Sequence, residues 1–335
     1  MVSSIMTMTI EAPPTHAAIA ARGLTRAFKG GIEAVRGIDL IIEPGQVFGF
    51  LGPNGAGKTT TVRMLCTLLP PTTGTAMVAG ADVASEGALV RRRIGVALQE
   101  IGLDPVQTGR ELLELQCGLY GITGADGRRR AQELLELVGL TDAAARRTKT
   151  YSGGMKRRLD LASALVHEPS VLFLDEPTNG LDPASRLTIW EEVQRINALG
   201  TTVFLTTQYL EEADRLCDRL AIIDDGRIVA QGTPADLKAQ MGHDVVTVTL
   251  AADAVQAAAR ALETLPGRER TVTETGAVAL YVEHGAAQVA EIVRRLDREH
   301  IQPDTISVAR PTLDDVFLQA TGRRLEGSDD EEGRS

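Results

Sequence analysis

"VFGFLGPNGAGKTTTVRMLCTLL" (47–69) decides how this chain is to be read. Its opening, 47–52, is a continuous apolar run, the pattern of a strand buried on both faces. "GPNGAGKTT" (52–60) then fits G-x-x-x-x-G-K-[ST] through Gly52, Gly57, Lys58 and Thr59, and a helical stretch follows. Strand, glycine-rich turn and helix is the context in which that pattern holds phosphates. The glycines let backbone N–H groups turn inward without a Cβ, and a helix N-terminus adds partial positive charge. Lys58 would meet the β- and γ-phosphates, and Thr59 offers a hydroxyl to Mg²⁺. The chain writes nearly all its cations as arginine; its lysines are Lys29, Lys58, Lys149, Lys156 and Lys238. A compact ammonium on a flexible stem suits a phosphate contact, so Lys58 stands out.

Two further apolar runs, "VLFLD" (171–175) and "VFLTT" (203–207), also end in polar residues. Ligands of parallel sheets gather at the carboxyl ends of strands, so all three runs deliver their polar residues to one edge. Asp175 is placed to hold Mg²⁺ through water, and Glu176, next to it, to polarise an attacking water. The alternative for Glu176 is an ordinary surface carboxylate. From Ala18 to about 241 the pattern is α/β, a parallel sheet flanked by helices. A helical subdomain is inserted at about 100–165, where Thr108 and Glu111 make a capping box. From 242 to 322 the order βαββαβ, with a hairpin around Gly276 and a closing helix capped at Thr312, predicts a small α+β domain of ferredoxin-like type. That domain carries no catalytic constellation and reads as a docking or dimerisation unit.

The composition narrows the partners. The 335 residues carry a net charge of −10 and a pI near 5.1, which argues against nucleic acid or anionic lipid. Cys66, Cys117 and Cys217 lie far apart and read as reduced core residues of a cytoplasmic protein. No stretch is long and apolar enough to span a bilayer. Residues 1–17 lack the pattern of a signal peptide and read as a tail, and 323–335 as an acidic, disordered one.

"YSGGMKRRLDLASALVHEP" (151–169) has two readings. The plain one is a helix start: Ser152 caps it, two glycines loosen its entry, and His167 sits favourably near its C-terminal end. The other is a second anion site made of a serine-capped N-terminus with bare backbone amides. One chain does not need two triphosphate sites, so this one would face a nucleotide held by another chain.

With Gln99, "LDEP" (174–177) and "GLD" (180–182) in order, the chain resembles the ATP-binding-cassette ATPases over roughly 18–240. "TTQYLEEAD" (206–214), "IIDDGRIVAQGTPADLK" (222–238) and "RPTLDDVFLQATG" (310–322) resemble the ATP-binding subunits of daunorubicin/doxorubicin-resistance-type exporters. The resemblance implies that Asn54, Gly55, Ala56, Gly57, Lys58, Thr59 and Thr60 cradle the phosphates of ATP. It implies that Gln99 touches Mg²⁺ and relays to a membrane partner. Ser152, Gly153 and Gly154 would bind the γ-phosphate of the opposing subunit, and Phe28 would stack on adenine, the alternative being a core phenylalanine. Asp182 would brace the dimer interface, although Asp182-Pro183 is equally a plain N-cap and N1 proline. Met155 replaces the commoner glutamine, which leaves the anion contact to Ser152 and the backbone.

The same family puts histidine where this chain has Gln208. An amide can hydrogen-bond a γ-phosphate but does not titrate near neutral pH. Gln208 is therefore expected to position the γ-phosphate, with Glu176 alone as base; the alternative is loop filler. The expectation as a whole is a Mg²⁺-dependent ATPase acting as a homodimer, or with a paralogous cassette, around two ATP molecules. It would sit on the cytoplasmic face of the membrane through a separate permease and power export of an amphipathic drug or lipid. The rival is a soluble cassette ATPase driving a non-transport assembly. A GTPase is disfavoured because no guanine-reading Asn/Thr-Lys-x-Asp is present, and a kinase would not need Ser152-Gly153-Gly154.

Overall fold

The computed structural model describes residues 16–242 and 244–322. The proposed tails therefore lie outside the described residues, save Ala17 and His16, as does His243. The chain divides into two compact units, Met1–Gln231 and Gly232–Ser335. That division falls earlier than the 241/242 boundary expected from the sequence. The helix Pro234–Gln240, with Leu237 buried, packs against the closing helix Leu313–Thr321 and so belongs to the second unit.

In the first unit, the strands in chain order are β1 (Ile19–Ala27), β2 (Glu33–Ile42), β3 (Val47–Leu51), β4 (Thr73–Val78), β5 (Ala81–Asp82), β6 (Ile94–Ala97), β7 (Val171–Asp175), β8 (Thr202–Thr207), β9 (Arg219–Asp224) and β10 (Arg227–Gly232). The central sheet runs β10-β9-β3-β8-β7-β6, and β3, β6, β7, β8 and β9 pair in parallel. β3, β7 and β8 are buried along their whole length, as their unbroken apolar runs require. Phe204 lies at the centre of an aromatic group, with its ring 5.5 to 5.8 Å from those of Phe173, Phe50 and Phe48. Register then sets the functional edge: Leu51 pairs with Thr207, and Thr206 with Asp175.

A second sheet, of order β2-β1-β4-β5 and antiparallel throughout, was not anticipated. Its signature is visible in hindsight. β2 buries Ile38, Leu40 and Ile42 and exposes the residues between them, the alternation of a sheet with one wet face. Those buried side chains join one core with Phe48, Phe50, Val62 and Met64.

The helices of this unit are α1 (Lys58–Leu65), α2 (Gly87–Arg93), α3 (Gly109–Leu119), α4 (Gly124–Leu137), α5 (Gly153–Ala164), α6 (Pro183–Ala198) and α7 (Leu210–Leu216). α3, α4 and α5 pack together as the inserted subdomain, and the Thr108–Glu111 capping box is present. His167 departs from expectation. α5 ends at Ala164, and the His167 Nε2 lies 2.9 Å from the Ile94 carbonyl while its ring stacks on Tyr120 at 4.0 Å. Burial lowers its pKa, so it is a packed neutral ring rather than a charge on a helix end. All three cysteines are free and buried, and burial raises their thiol pKa values.

The second unit has the expected βαββαβ order. Its strands, β11 (Asp244–Thr249), β12 (Arg268–Glu274), β13 (Ala277–Val282) and β14 (Thr305–Ala309), form an antiparallel sheet of order β12-β13-β11-β14. Val246, Val248, Leu280 and Val282 pack with Ile292 and Leu296 of the helix Gly285–Arg298. The first helix is short, Val255–Ala261. Beyond it the chain turns to bury Leu262 and Leu265 before Pro266, which cannot continue a helix. The closing helix begins after a Thr312–Asp315 capping box.

Candidate active site

The glycine-rich turn between β3 and α1 needs its glycines. Gly57 has φ +106°, and a Cβ there would lie 2.4 Å from the Ala34 carbonyl oxygen. α1 has no side-chain cap and no acidic residue in its first turn, so its N-terminal amides meet no carboxylate from their own helix. Asn54 and Gly55 are exposed, Ala56, Gly57 and Lys58 buried, and Thr59 and Thr60 half-buried.

Lys58 is 4% exposed. Its ammonium donates to the carbonyls of Gly52 at 2.7 Å and Pro53 at 3.1 Å, and lies 3.2 Å from Glu176 Oε1. An ammonium has three N–H donors, and these contacts take all three; a phosphate oxygen must displace one of them. Burial lowers the Lys58 pKa, and the neighbouring Glu176 carboxylate works against that shift.

Asp175 Oδ1 accepts from the hydroxyls of Thr59 at 3.2 Å and Thr206 at 2.6 Å. Its Oδ2 is buried and has no hydrogen-bond partner among the described residues. An orphaned carboxylate oxygen beside a threonine hydroxyl is the donor set of a hard cation, so these residues fit Mg²⁺. No group of three or more His, Cys, Asp or Glu among the described residues could hold a metal.

Glu176, 7% exposed, has its backbone at φ +48°, the left-handed region. Its N–H donates to the Thr206 carbonyl at 3.1 Å and hydroxyl at 3.0 Å. Glu176 Oε2 accepts from the amides of Gln99 at 3.2 Å and Asn179 at 3.1 Å, while Oε1 faces Lys58. A carboxylate offers about four acceptor sites; three are taken, and the remaining one is on Oε1. The surface-carboxylate alternative for Glu176 does not hold. Gln99 uses its amide nitrogen on Glu176, which leaves its oxygen for a cation.

Gln208 is half-buried at the bend between β8 and α7, and its amide makes no hydrogen bond among the described residues. The carbonyl just before it, of Thr207, accepts from Gly52 N–H at 3.2 Å, tying this corner to the phosphate turn. Phe28 is 40% exposed with the Arg26 guanidinium 4.8 Å from its ring centre, so it is not a core residue.

Ser152, Gly153, Gly154 and Asp182 form a separate group. Ser152 caps α5 by accepting from Met155 N–H at 3.2 Å. A Cβ on Gly154 would lie 2.8 Å from Ser185 Oγ, which itself donates to Asp182 at 2.6 Å. Asp182 caps α6, and its hydrogen bonds from Ser185 hold its carboxyl below the usual range. No hydrogen bond or ion pair joins this group to Lys58, Thr59, Asp175 or Glu176 among the described residues. The two groups thus make no direct hydrogen bond or ion pair with each other on one chain.

Sequence reasoning missed Asn179, Thr206 and Arg157. Arg157 is a buried guanidinium on α5, paired with Asp160 at 3.3 Å. Burial lowers the Arg157 pKa and raises that of Asp160 to about 6, so desolvation outweighs their mutual attraction. The folded state therefore holds the Asp160 proton more tightly than the unfolded state, and stability is lost as pH rises from about 4 to about 6. Asp160→Asn lacks this loss. Relative to wild type, the variant is expected to gain up to about 3 kcal/mol between pH 4 and pH 7, read by urea unfolding at each pH. A constant difference across that range would remove Asp160 as the source.

Comparison with known proteins extends this geometry to the whole chain. Residues 35–179 match the family model described as ABC transporter. Residues 232–321 match one described as the C-terminal domain of DrrA1-3-like ATP-binding proteins. The chain is 46% identical over 308 residues to the daunorubicin resistance ATP-binding protein DrrA2 of Streptomyces coeruleorubidus, covering 90% of this chain and 95% of that one. It is 45% identical over 324 residues to the daunorubicin/doxorubicin resistance ATP-binding protein DrrA of Streptomyces peucetius, covering 95% and 96%. Among solved structures it is similar to the dimeric post-hydrolysis state of the ATP-binding cassette MJ0796 bound to ADP and Pi. That match has a TM-score of 0.59 at 27% identity and covers 64% of this chain and 98% of the other.

Proposed function

The chain belongs to the ATP-binding-cassette ATPases, and from that membership we propose that it powers export of an amphipathic drug or lipid through a separate membrane permease. The observation that carries the exporter reading is the second unit, whose match to the DrrA-type C-terminal domain comes in addition to the ATPase core. No helix among the described residues is long and apolar enough to cross a membrane, which supports a partner that supplies the path. The helical subdomain exposes Val106, Leu115, Leu119 and Tyr120, an apolar group suited to a permease loop. The chain would then work at the cytoplasmic face.

In the proposed reaction the turn from Asn54 to Thr60 and the Lys58 ammonium cradle the phosphates, and Phe28 stacks on adenine. Thr59, Asp175 and Gln99 would hold Mg²⁺, which when bound would offset negative charge on the phosphate oxygens. Glu176 Oε1 takes the proton of the water that attacks the γ-phosphorus, and the bond to the bridging oxygen of ADP breaks. Ser152, Gly153 and Gly154 of a second copy close the site, with Asp182 at the interface. The separation of the two groups on one chain supports that arrangement, as does the dimeric form of the solved relative.

Gln208 donates to the γ-phosphate without carrying a proton. Gln208→Ala is expected to lower kcat by about tenfold or more, whereas Gln208→His keeps activity; equal rates for wild type and the alanine variant would leave Gln208 as loop filler. The exporter reading is tested by capturing tagged Glu176→Gln protein from native membranes with ATP and Mg²⁺. A stoichiometric polytopic membrane protein supports it. A soluble dimer alone, or a soluble partner, would replace it with the non-transport assembly.

A further inference from the structure

Arg157 touches none of the side chains assigned to the nucleotide, yet its buried guanidinium binds the backbone beside them. Its Nε donates to the Pro177 carbonyl at 3.0 Å, its Nη2 to the Asp175 carbonyl at 3.1 Å and its Nη1 to the Leu98 carbonyl at 2.5 Å. Asp175 and Pro177 flank Glu176 in the chain, and Leu98 precedes Gln99. The peptide group joining Asp175 to Glu176 is therefore gripped at both ends, its oxygen by Arg157 and its N–H by Thr206. A non-glycine residue at positive φ persists only where its surroundings over-determine it, and these bonds provide that constraint. The third carbonyl fixes the backbone from which Gln99 reaches Glu176.

Arg157 lies on α5, the helix whose N-terminus presents Ser152 and Gly153. We infer that Arg157 is a positioning residue that holds Glu176 in its left-handed conformation and sets Gln99 against it, so that the helix facing a second nucleotide and the base of its own site move as one. The inference rests on the assignment of Glu176 as base. The three carbonyls are met by three different nitrogens of a planar fork, a spread that an ammonium, donating from a single nitrogen, does not reproduce.

The test uses the purified full chain with Arg157→Lys and Arg157→Gln, each alone and combined with Glu176→Gln. Turnover of Mg·ATP and binding of a fluorescent ATP analogue are measured side by side. The lysine variant is expected to bind nucleotide within about threefold of wild type while kcat falls about tenfold or more, and the glutamine variant to fall further. In the Glu176→Gln background neither change should lower the residual rate again, because the residue through which Arg157 acts is already disabled. A merely structural role would instead weaken binding and turnover together. Near-wild-type kcat in both single variants, or the same fold-loss in both backgrounds, would overturn the inference. Failure of the base assignment looks different: Glu176→Gln alone would turn over at the wild-type rate. Should Arg157→Gln not fold, Arg157→Lys decides.

Discussion

Glu176→Gln is expected to cut ATP turnover by about 10²- to 10⁴-fold while leaving nucleotide binding in place. The side chain keeps its volume at a buried position, so the local packing survives. What changes is the chemistry of Oε1, the one carboxylate oxygen with an acceptor site to spare beside Lys58. An amide there is a far weaker proton acceptor than a carboxylate. Nucleotide would still meet Lys58 and the amides of the turn, so closed dimers should accumulate with ATP and disperse slowly. Single-turnover hydrolysis of labelled ATP gives the rate, and sedimentation with and without ATP gives the dimer. Turnover within a few-fold of wild type would assign the proton to another group.

Lys58→Met is the second large effect, and it falls on two observables at once. Nucleotide affinity should weaken by about 100-fold or more, since a buried ammonium aimed at phosphate has no neutral substitute. Stability should fall as well, because Glu176 is left buried without its cation. Removing one partner of a buried ion pair costs about 3–5 kcal/mol. Adding Glu176→Gln to Lys58→Met removes the orphaned charge, so the double variant should regain stability and stay unable to bind. Urea unfolding and nucleotide titration on the four proteins close the cycle. If both variants lose stability additively, the 3.2 Å contact contributes nothing.

The parts of the fold legible in the sequence were those written locally. β3, β7 and β8 each announce themselves as short apolar runs, and Lys58, Thr59, Asp175 and Glu176 sit within a residue or two of where those runs end. The caps at Thr108, Ser152, Asp182 and Thr312 were legible for the same reason. The antiparallel sheet was missed although β2 alternates, because long apolar runs nearby drew the reading toward parallel strands. Thr206 was beyond local reading: it reaches Asp175 through the register of β7 on β8, set between residues far apart in the chain. Arg157 was hidden differently. In a sequence rich in arginine, nothing marks the one whose guanidinium reaches the carbonyls beside Glu176 and Gln99. Asn179 was the avoidable omission, three residues after Glu176 and between the quoted stretches 174–177 and 180–182.

The burial of Cys66, Cys117 and Cys217 has a practical side. With their thiols inside the protein and poor at ionising, none should compete for a maleimide or a spin label. The native chain is in effect its own unreactive background, and a reporter thiol placed at Leu119, 72% exposed on the helical subdomain, would be the one that takes the probe. Its signal could then follow the approach of a membrane partner in real time, without first stripping the natural cysteines from the core.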